Sequence, residues 1–213
     1  TRVRSSAASD VYKRQMQELK GSFVALVTPM KSNGEIDFPA LKELVEWHIE
    51  SGTHGLVSVG TTGESATLNF NDHVKVLEKT ISYIDNKIVA IAGTGANSTD
   101  EAIELNKAAS SIGYEFALSV TPYYNKPNQL GLEAHYNKIA DSSVIKNILY
   151  NVPSRTACDL EPETVNKLIH HENIVGIKEA VDDPKRYKTL IKMAKNSSEP
   201  FYVLSGDDPT FFD

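Results

Sequence analysis

Lys178 closes an apolar run, Ile174-Val175-Gly176-Ile177, and is followed by Glu179-Ala180. Four apolar residues in a row predict a strand buried on both faces, as in a parallel sheet. A lysine at the end of such a strand loses hydration. That disfavours the ammonium form and leaves an amine with a usable lone pair. Such an amine attacks carbonyl carbon. A second reading stays open at this point: the side chain snorkels to solvent or pairs with Glu179.

Other reactive groups also follow apolar runs. Gly60-Thr61-Thr62-Gly63-Glu64-Ser65 comes after Leu56–Val59, and Thr121-Pro122-Tyr123-Tyr124 comes after Ala117–Val120. Tyr150 ends the run from Ile148 and precedes Asn151-Val152-Pro153-Ser154-Arg155. The threonine loop is either a tight turn or a nest of backbone amides able to hold a carboxylate. Tyr123 and Tyr124 are also open to a plain reading, as packing aromatics, and Arg155 as a surface arginine. A phenol closing a strand at Tyr150 requires a hydrogen-bond partner. Gly93-Thr94-Gly95-Ala96-Asn97 resembles a phosphate loop but lacks its lysine and spacing, and reads as the turn into a helix. Together the groups suit carbonyl chemistry on a small keto acid. Lys178 would form an imine, the Thr61 and Thr62 amides would hold the carboxylate, and Tyr150 would move protons as imine becomes enamine. No metal, flavin or phosphate is required by these parts. The six histidines show no metal spacing, and His170-His171 is expected on a solvated helix end.

The elements that must position these groups alternate along the chain. Apolar runs at Phe23–Val27, Leu56–Val59, Ile88–Ala92, Ala117–Val120, Ile148–Tyr150, Ile174–Ile177 and Phe201–Leu204 predict seven strands. Between them lie helix-period faces: Leu41, Leu44, Val45, His48 and Ile49; Val74, Leu77, Ile81 and Ile84; Ala102, Leu105, Ala109 and Ile112. Ser98-x-x-Glu101 reads as a capping box, and Asp183-Pro184 and Glu161-Pro162 as helix starts. Gly52 and Gly113 stand where helices should stop. Strand then helix, repeated, gives an α/β fold with a parallel sheet. An open doubly wound sheet and a (β/α)8 TIM barrel compete. The polar groups all fall at the carboxyl ends of their strands, where a barrel gathers its site, and this favours the barrel. It would be incomplete: a full barrel runs to about 250 residues. An eighth strand and C-terminal helices are expected to be missing beyond Thr210-Phe211-Phe212-Asp213.

Bulk properties exclude several classes. A net charge of −6 argues against a nucleic-acid partner, and no apolar stretch is long enough to span a bilayer. The one cysteine, Cys158, cannot form an internal disulfide, so a reducing, cytoplasmic setting is expected. Residues 1–15 are rich in Arg, Lys, Ser and Ala and read as a disordered or non-native extension before Met16. Residues 16–213 then form a partial (β/α)8 catalytic domain.

Four motifs carry a resemblance: Gly60-Thr61-Thr62-Gly63-Glu64-Ser65-Ala66-Thr67-Leu68, Thr121-Pro122-Tyr123-Tyr124-Asn125, Leu149-Tyr150-Asn151-Val152-Pro153-Ser154-Arg155-Thr156 and Gly176-Ile177-Lys178-Glu179-Ala180. In order and spacing the chain, from about Lys20 on, resembles the 4-hydroxy-tetrahydrodipicolinate synthase (dihydrodipicolinate synthase) family of pyruvate-dependent class I aldolases. The resemblance implies a (β/α)8 barrel, a dimer or tetramer when full length, that condenses pyruvate with L-aspartate 4-semialdehyde on the route to diaminopimelate and lysine. It implies no cofactor beyond a covalent imine between pyruvate and Lys178. Tyr150 matches the proton-relaying tyrosine, linked to Thr61; Tyr124 matches the tyrosine lent across a dimer interface. Thr62 matches a binder of the pyruvate carboxylate, and Arg155 the arginine that grips the semialdehyde carboxylate. Ser65, Ala66, His73, Asn97, Glu101 and Tyr123 match a lysine-inhibitor site, with Phe70 departing where inhibited members often carry histidine. N-acetylneuraminate lyase and the keto-deoxy-sugar-acid aldolases share the lysine and the tyrosine but generally lack Pro-Ser-Arg-Thr, so Arg155 favours the amino-acid pathway. A non-catalytic keto-acid-binding protein and an inactive fragment are the remaining alternatives.

Overall fold

A computed structural model describes residues 18–207. The extension expected at 1–15, Met16 and the stretch Thr210-Phe211-Phe212-Asp213 lie outside the described residues.

The seven expected strands are all present: β1 (Phe23–Ala25), β2 (Gly55–Ser58), β3 (Val89–Gly93), β4 (Phe116–Val120), β5 (Lys146–Asn151), β6 (Ile174–Glu179) and β7 (Tyr202–Ser205). They form one sheet in the order β1-β2-β3-β4-β5-β6-β7, every pair parallel. A doubly wound sheet reverses direction at a switch point. This sheet never reverses, so the open alternative falls.

Six helices of seven residues or more make the crossovers: α1 (Phe38–Glu50), α2 (Phe70–Ile84), α3 (Thr99–Ile112), α4 (Gln129–Asp141), α6 (Pro162–Leu168) and α7 (Pro184–Asn196). The short α5 (Pro153–Thr156) lies between β5 and α6. Their starts follow local chemistry. The Asp183 carboxylate accepts from Lys185 N at 2.9 Å, with Pro184 at the first helical position, and Ser98 Oγ accepts from Glu101 N. Glu161 departs from expectation: it precedes α6, but its carboxylate makes no cap bond. Gln129 Oε1 accepts from both the Glu161 N–H and the Thr164 hydroxyl and ties the start of α6 to the start of α4. Gly113 ends α3 with φ 112, where a side chain would be strained.

Alternation along the strands divides the core into two shells. Outward residues such as Leu56, Leu149 and Ile177 pack under helix residues such as Leu41, Leu77, Leu132 and Val165. Inward residues form a single cluster with members from β1 to β7, including Phe23, Val57, Ile91, Leu118, Ile148 and Leu204. A flat sheet would keep β1 and β7 far apart, so the sheet curls around this cluster in the manner of a (β/α) barrel. Each fully buried aliphatic side chain contributes about 1.5–3 kcal/mol.

The buried face of α2 is rotated from the expected one. His73 and Thr80 lie inside with Val76, Leu77 and Ile84, whereas Ile81 is half-buried. Both polar residues satisfy themselves on backbone: His73 Nε2 bonds Gly93 O at 2.7 Å, and Thr80 Oγ1 donates to Val76 O at 2.8 Å. His170-His171 sits past the end of α6 rather than on it, and His171 bonds Asp141 and the Asn173 N–H. Among the described residues no helix is long and apolar enough to cross a membrane.

Candidate active site

Lys178 and Tyr150 are direct neighbours across β5 and β6. Their matching parity points both side chains inward, and Lys178 Nζ lies 4.7 Å from the Tyr150 ring centroid. Lys178 does not pair with Glu179. Consecutive strand residues face opposite ways, and the Glu179 carboxylate is buried on the helix side against Arg186 at 2.7 Å.

The loop after β2 brings up the threonines. Val59 is buried and holds φ 51, a left-handed conformation that a β-branched residue rarely adopts. The chain then folds on itself, Gly63 N donating to Gly60 O at 3.0 Å and Glu64 N to Thr61 O at 3.1 Å. Thr28 Oγ1 donates to Gly63 O at 2.7 Å and anchors the loop to the segment after β1. Thr61 stands beside the Tyr150 hydroxyl, near enough to favour the ionised phenol. Burial pushes the Tyr150 phenol up; Thr61 and the nearby Arg155 charge pull the other way without reversing it.

A cavity of about 580 Å³ opens at this end of the sheet, lined by Thr61, Thr62, Tyr150, Arg155 and Lys178. Five of the six candidate catalytic and binding residues therefore share one space, large enough for a small keto acid and a second small molecule. Tyr124 does not join them: it follows β4, is 89% exposed, and holds φ 72. Of the other matched positions, Tyr123, Asn97 and Glu101 come together. Burial raises the Tyr123 phenol, the Glu101 charge adds to this, and Asn97 backbone bonds it. Ser65 and Ala66 lie on a 3-10 turn (Ser65–Thr67), and His73 faces the core.

Sequence reasoning missed two features. Ser205 at the end of β7, and Gly206 and Asp207 after it, also line the cavity, and a Cβ on Gly206 would come within 2.8 Å of Lys178 Cε. Behind the strand ends lies a polar cluster of Asn151, Asp159, Glu179 and Arg186. The only signal for Gly206 was its place just after the last apolar run. The polar cluster joins residues far apart in sequence and had none.

A curled parallel sheet with a lysine and a tyrosine paired at its carboxyl end, facing a threonine loop, defines a (β/α)-barrel protein with its candidate site at the strand ends. The chain belongs to the dihydrodipicolinate synthetase family, whose profile matches residues 18–213. It is 52% identical over 192 residues to the 4-hydroxy-tetrahydrodipicolinate synthase of Shewanella sp. (strain MR-4), and 53% identical over 191 residues to that of Thermodesulfovibrio yellowstonii; each match covers 90% of this chain. It spans 64% of the length of both relatives. Among solved structures, it resembles the chloride-inhibited dihydrodipicolinate synthase of Acinetobacter baumannii complexed with pyruvate, with a TM-score of 0.87 and 51% identity over 91% of this chain and 65% of that one. The enzyme from Aquifex aeolicus superposes with a TM-score of 0.84 at 44% identity, over 89% and 64% of the two chains.

Proposed function

We propose that the chain carries the catalytic centre of a lyase that condenses pyruvate with L-aspartate 4-semialdehyde to 4-hydroxy-tetrahydrodipicolinate. The observation that carries this reading is the Lys178–Tyr150 pair, side by side in register and facing one cavity with Thr61, Thr62 and Arg155. In the first step the Lys178 amine attacks the ketone carbon of pyruvate. A C–N bond forms, the carbonyl oxygen leaves as water, and Lys178 loses its protons as the C=N bond is made. Tyr150, beside Thr61, delivers and accepts protons at the departing oxygen. Loss of a methyl proton then gives the enamine, whose carbon attacks the aldehyde carbon of the semialdehyde. Backbone amides of the Thr61–Thr62 loop hold the pyruvate carboxylate. Arg155 offers its guanidinium fork to the carboxylate of the second substrate. Tyr124, so exposed on its loop, is suited to reach the relay of a second copy in a dimer or tetramer.

Incubation with pyruvate and cyanoborohydride tests the mechanism. We expect one covalent pyruvate adduct per chain by intact mass, mapped to Lys178, and none in Lys178→Ala. An unmodified wild-type mass removes the mechanism. Offering aspartate semialdehyde and a sugar aldehyde in parallel separates this reading from the sugar-acid aldolases, and Arg155→Ala should impair only the former. Lysine inhibition through Tyr123, Asn97, Glu101, His73, Ser65 and Ala66 belongs to the same proposal, and a titration with no effect on rate or melting excludes it.

A further inference from the structure

The residue after Lys178 is held by hydrogen bonds at both carboxylate oxygens. Glu179 is fully buried, and only donors meet its carboxylate. Oε1 accepts from Ala180 N at 3.0 Å, Val181 N at 3.1 Å and Asn151 Nδ2 at 3.0 Å. Oε2 accepts from Arg186 Nε at 2.7 Å and Asn151 Nδ2 at 3.2 Å. Arg186 in turn forks onto Asp159 at 2.9 and 3.0 Å and donates to Leu160 O. Asn151 donates to Asp159 at 2.8 Å and accepts from Leu160 N at 2.9 Å. The Glu179 carbonyl also accepts, from Gly206 N at 2.7 Å and the Tyr187 hydroxyl at 2.6 Å.

The register gives these bonds a catalytic consequence. Asn151 and Glu179 are paired across β5 and β6, one step beyond the Tyr150 and Lys178 pair. The inward pair faces the cavity, and the outward pair is clamped. Through Gly206, which abuts Lys178 Cε, the same clamp reaches the end of β7. An apolar side chain would fill the space behind β6 without the desolvation that a carboxylate suffers. It would supply no direction, whereas hydrogen bonds fix angle as well as distance. Burial pushes the Glu179 carboxyl up against the pull of Arg186 and Asn151. Burial pulls Arg186 down, but Asp159 and Glu179 outweigh it and hold the guanidinium above its ordinary range. The two directions conflict for an isolated pair. They are reconciled by Asp159, which takes the bidentate face of Arg186 and leaves Glu179 a single N–H. With donors at both of its oxygens, Glu179 sits in the surroundings of an anion.

We propose that Glu179, held by Asn151 and Arg186, is a positioning residue that keeps Lys178 and Tyr150 aligned for imine formation. This rests on the lyase reading above. An amide cannot replace the carboxylate, because in a Glu179→Gln variant either flip of the new side chain would set its NH2 against donors.

The test follows reductive trapping of pyruvate on the 213-residue chain by intact mass, reading rate constant and final extent separately. Glu179→Gln should reach the wild-type extent with a rate constant at least tenfold lower at saturating pyruvate. Its half-saturating pyruvate concentration should stay within about twofold, because a different loop holds the carboxylate; misplacement of reacting groups is known to cost on the order of 100-fold in rate. If this variant does not fold, Glu179→Gln with Arg186→Met strands no buried cation and should show the same slow rate. A wild-type rate constant in whichever variant folds overturns the proposal, whether the final extent is full or reduced, because reduced extent at full rate marks a merely structural role. An unmodified wild-type chain defeats the lyase reading itself, and the positioning role with it. Normal wild-type trapping with an unaffected variant defeats the positioning role alone.

Discussion

At the residue scale, the inward pair at the end of β5 and β6 owes its chemistry to what surrounds it. Gly206 is the sharpest case. A methyl group there would press within 2.8 Å of Lys178 Cε, the far end of a flexible side chain that can swing aside, while Ala180 Cβ at 3.1 Å and Glu179 O at 3.3 Å need give only a few tenths of an ångström. Gly206→Ala should therefore leave the melting temperature within about 2 °C and slow pyruvate trapping on the order of tenfold. Equal losses in both would contradict the contact. Tyr150→Phe tests the relay from the other side: removing the hydroxyl that meets Thr61 should slow imine formation by about 100-fold. Because burial raises that phenol, wild type should show no alkaline loss from tyrosine ionisation below its ordinary pKa of about 10. The lysine and tyrosine were legible in the sequence because each closes an apolar run. The direction of Glu179 was not, since an adjacent opposite charge looks like a partner until strand alternation places it on the far face. Arg186 lies seven residues away on a helix, and nothing in its own spacing marks it.

At the element scale, close approach decides more than propensity. A Cβ on Gly93 would meet Val59 O at 2.1 Å, and both partners are backbone at strand ends. Neither can yield without moving the threonine loop. Gly93→Ala should therefore destabilise by several kcal/mol, seen in urea unfolding, and abolish trapping together. Gly113→Ala meets only Ile81 Cδ1 at 3.9 Å but must hold φ 112, so it should cost about 1 kcal/mol and leave trapping intact. The α3–α4 contact gives a pH signature. His135 is buried, Nδ1 bonded to Thr99 Oγ1 at 2.8 Å, and Nε2 has no partner among the described residues. Burial lowers it to about 4 from an ordinary 6.5. The unfolded chain then binds more protons between those values. Stability is present above pH 6.5 and is lost as pH falls toward 4, by up to about 3 kcal/mol. His135→Phe should flatten that acid limb in urea titrations at about pH 7 and about pH 4.5; an unchanged slope would show that other groups carry it. Strands, helices and most caps were legible because period and punctuation are local. His73, Thr80 and His135 escaped because a polar residue that bonds nearby atoms can occupy a buried face, which a two-letter apolar pattern cannot anticipate.

At the scale of the whole molecule, protection should grade across the sheet. Strand β5 is buried along nearly its whole length and has a parallel partner on each side; β1 and β7 are half-buried, and among the described residues each has one strand neighbour. A second cavity of about 590 Å³ lies along the inner face, bordered by residues of all seven strands, among them Phe23, Val57, Ile91, Leu118, Ile148 and Leu204, so the grading rests on strand pairing and burial rather than on this space. Local opening follows buried contact and paired backbone. Amide hydrogen exchange should accordingly be slowest in β4, β5 and β6 and fastest, among strands, in β1 and β7. Reductive trapping of pyruvate on Lys178 should then add protection at specific places. The ends of β5 and β6, the Gly60–Gly63 loop and Gly206 border the occupied cavity, and openings there would have to expose the adduct. The amino ends of the same strands, far from the ligand, should exchange as before. Uniform slowing along all seven strands would instead mean that the ligand stabilises only global unfolding, and that the site is not the locally mobile part of the sheet.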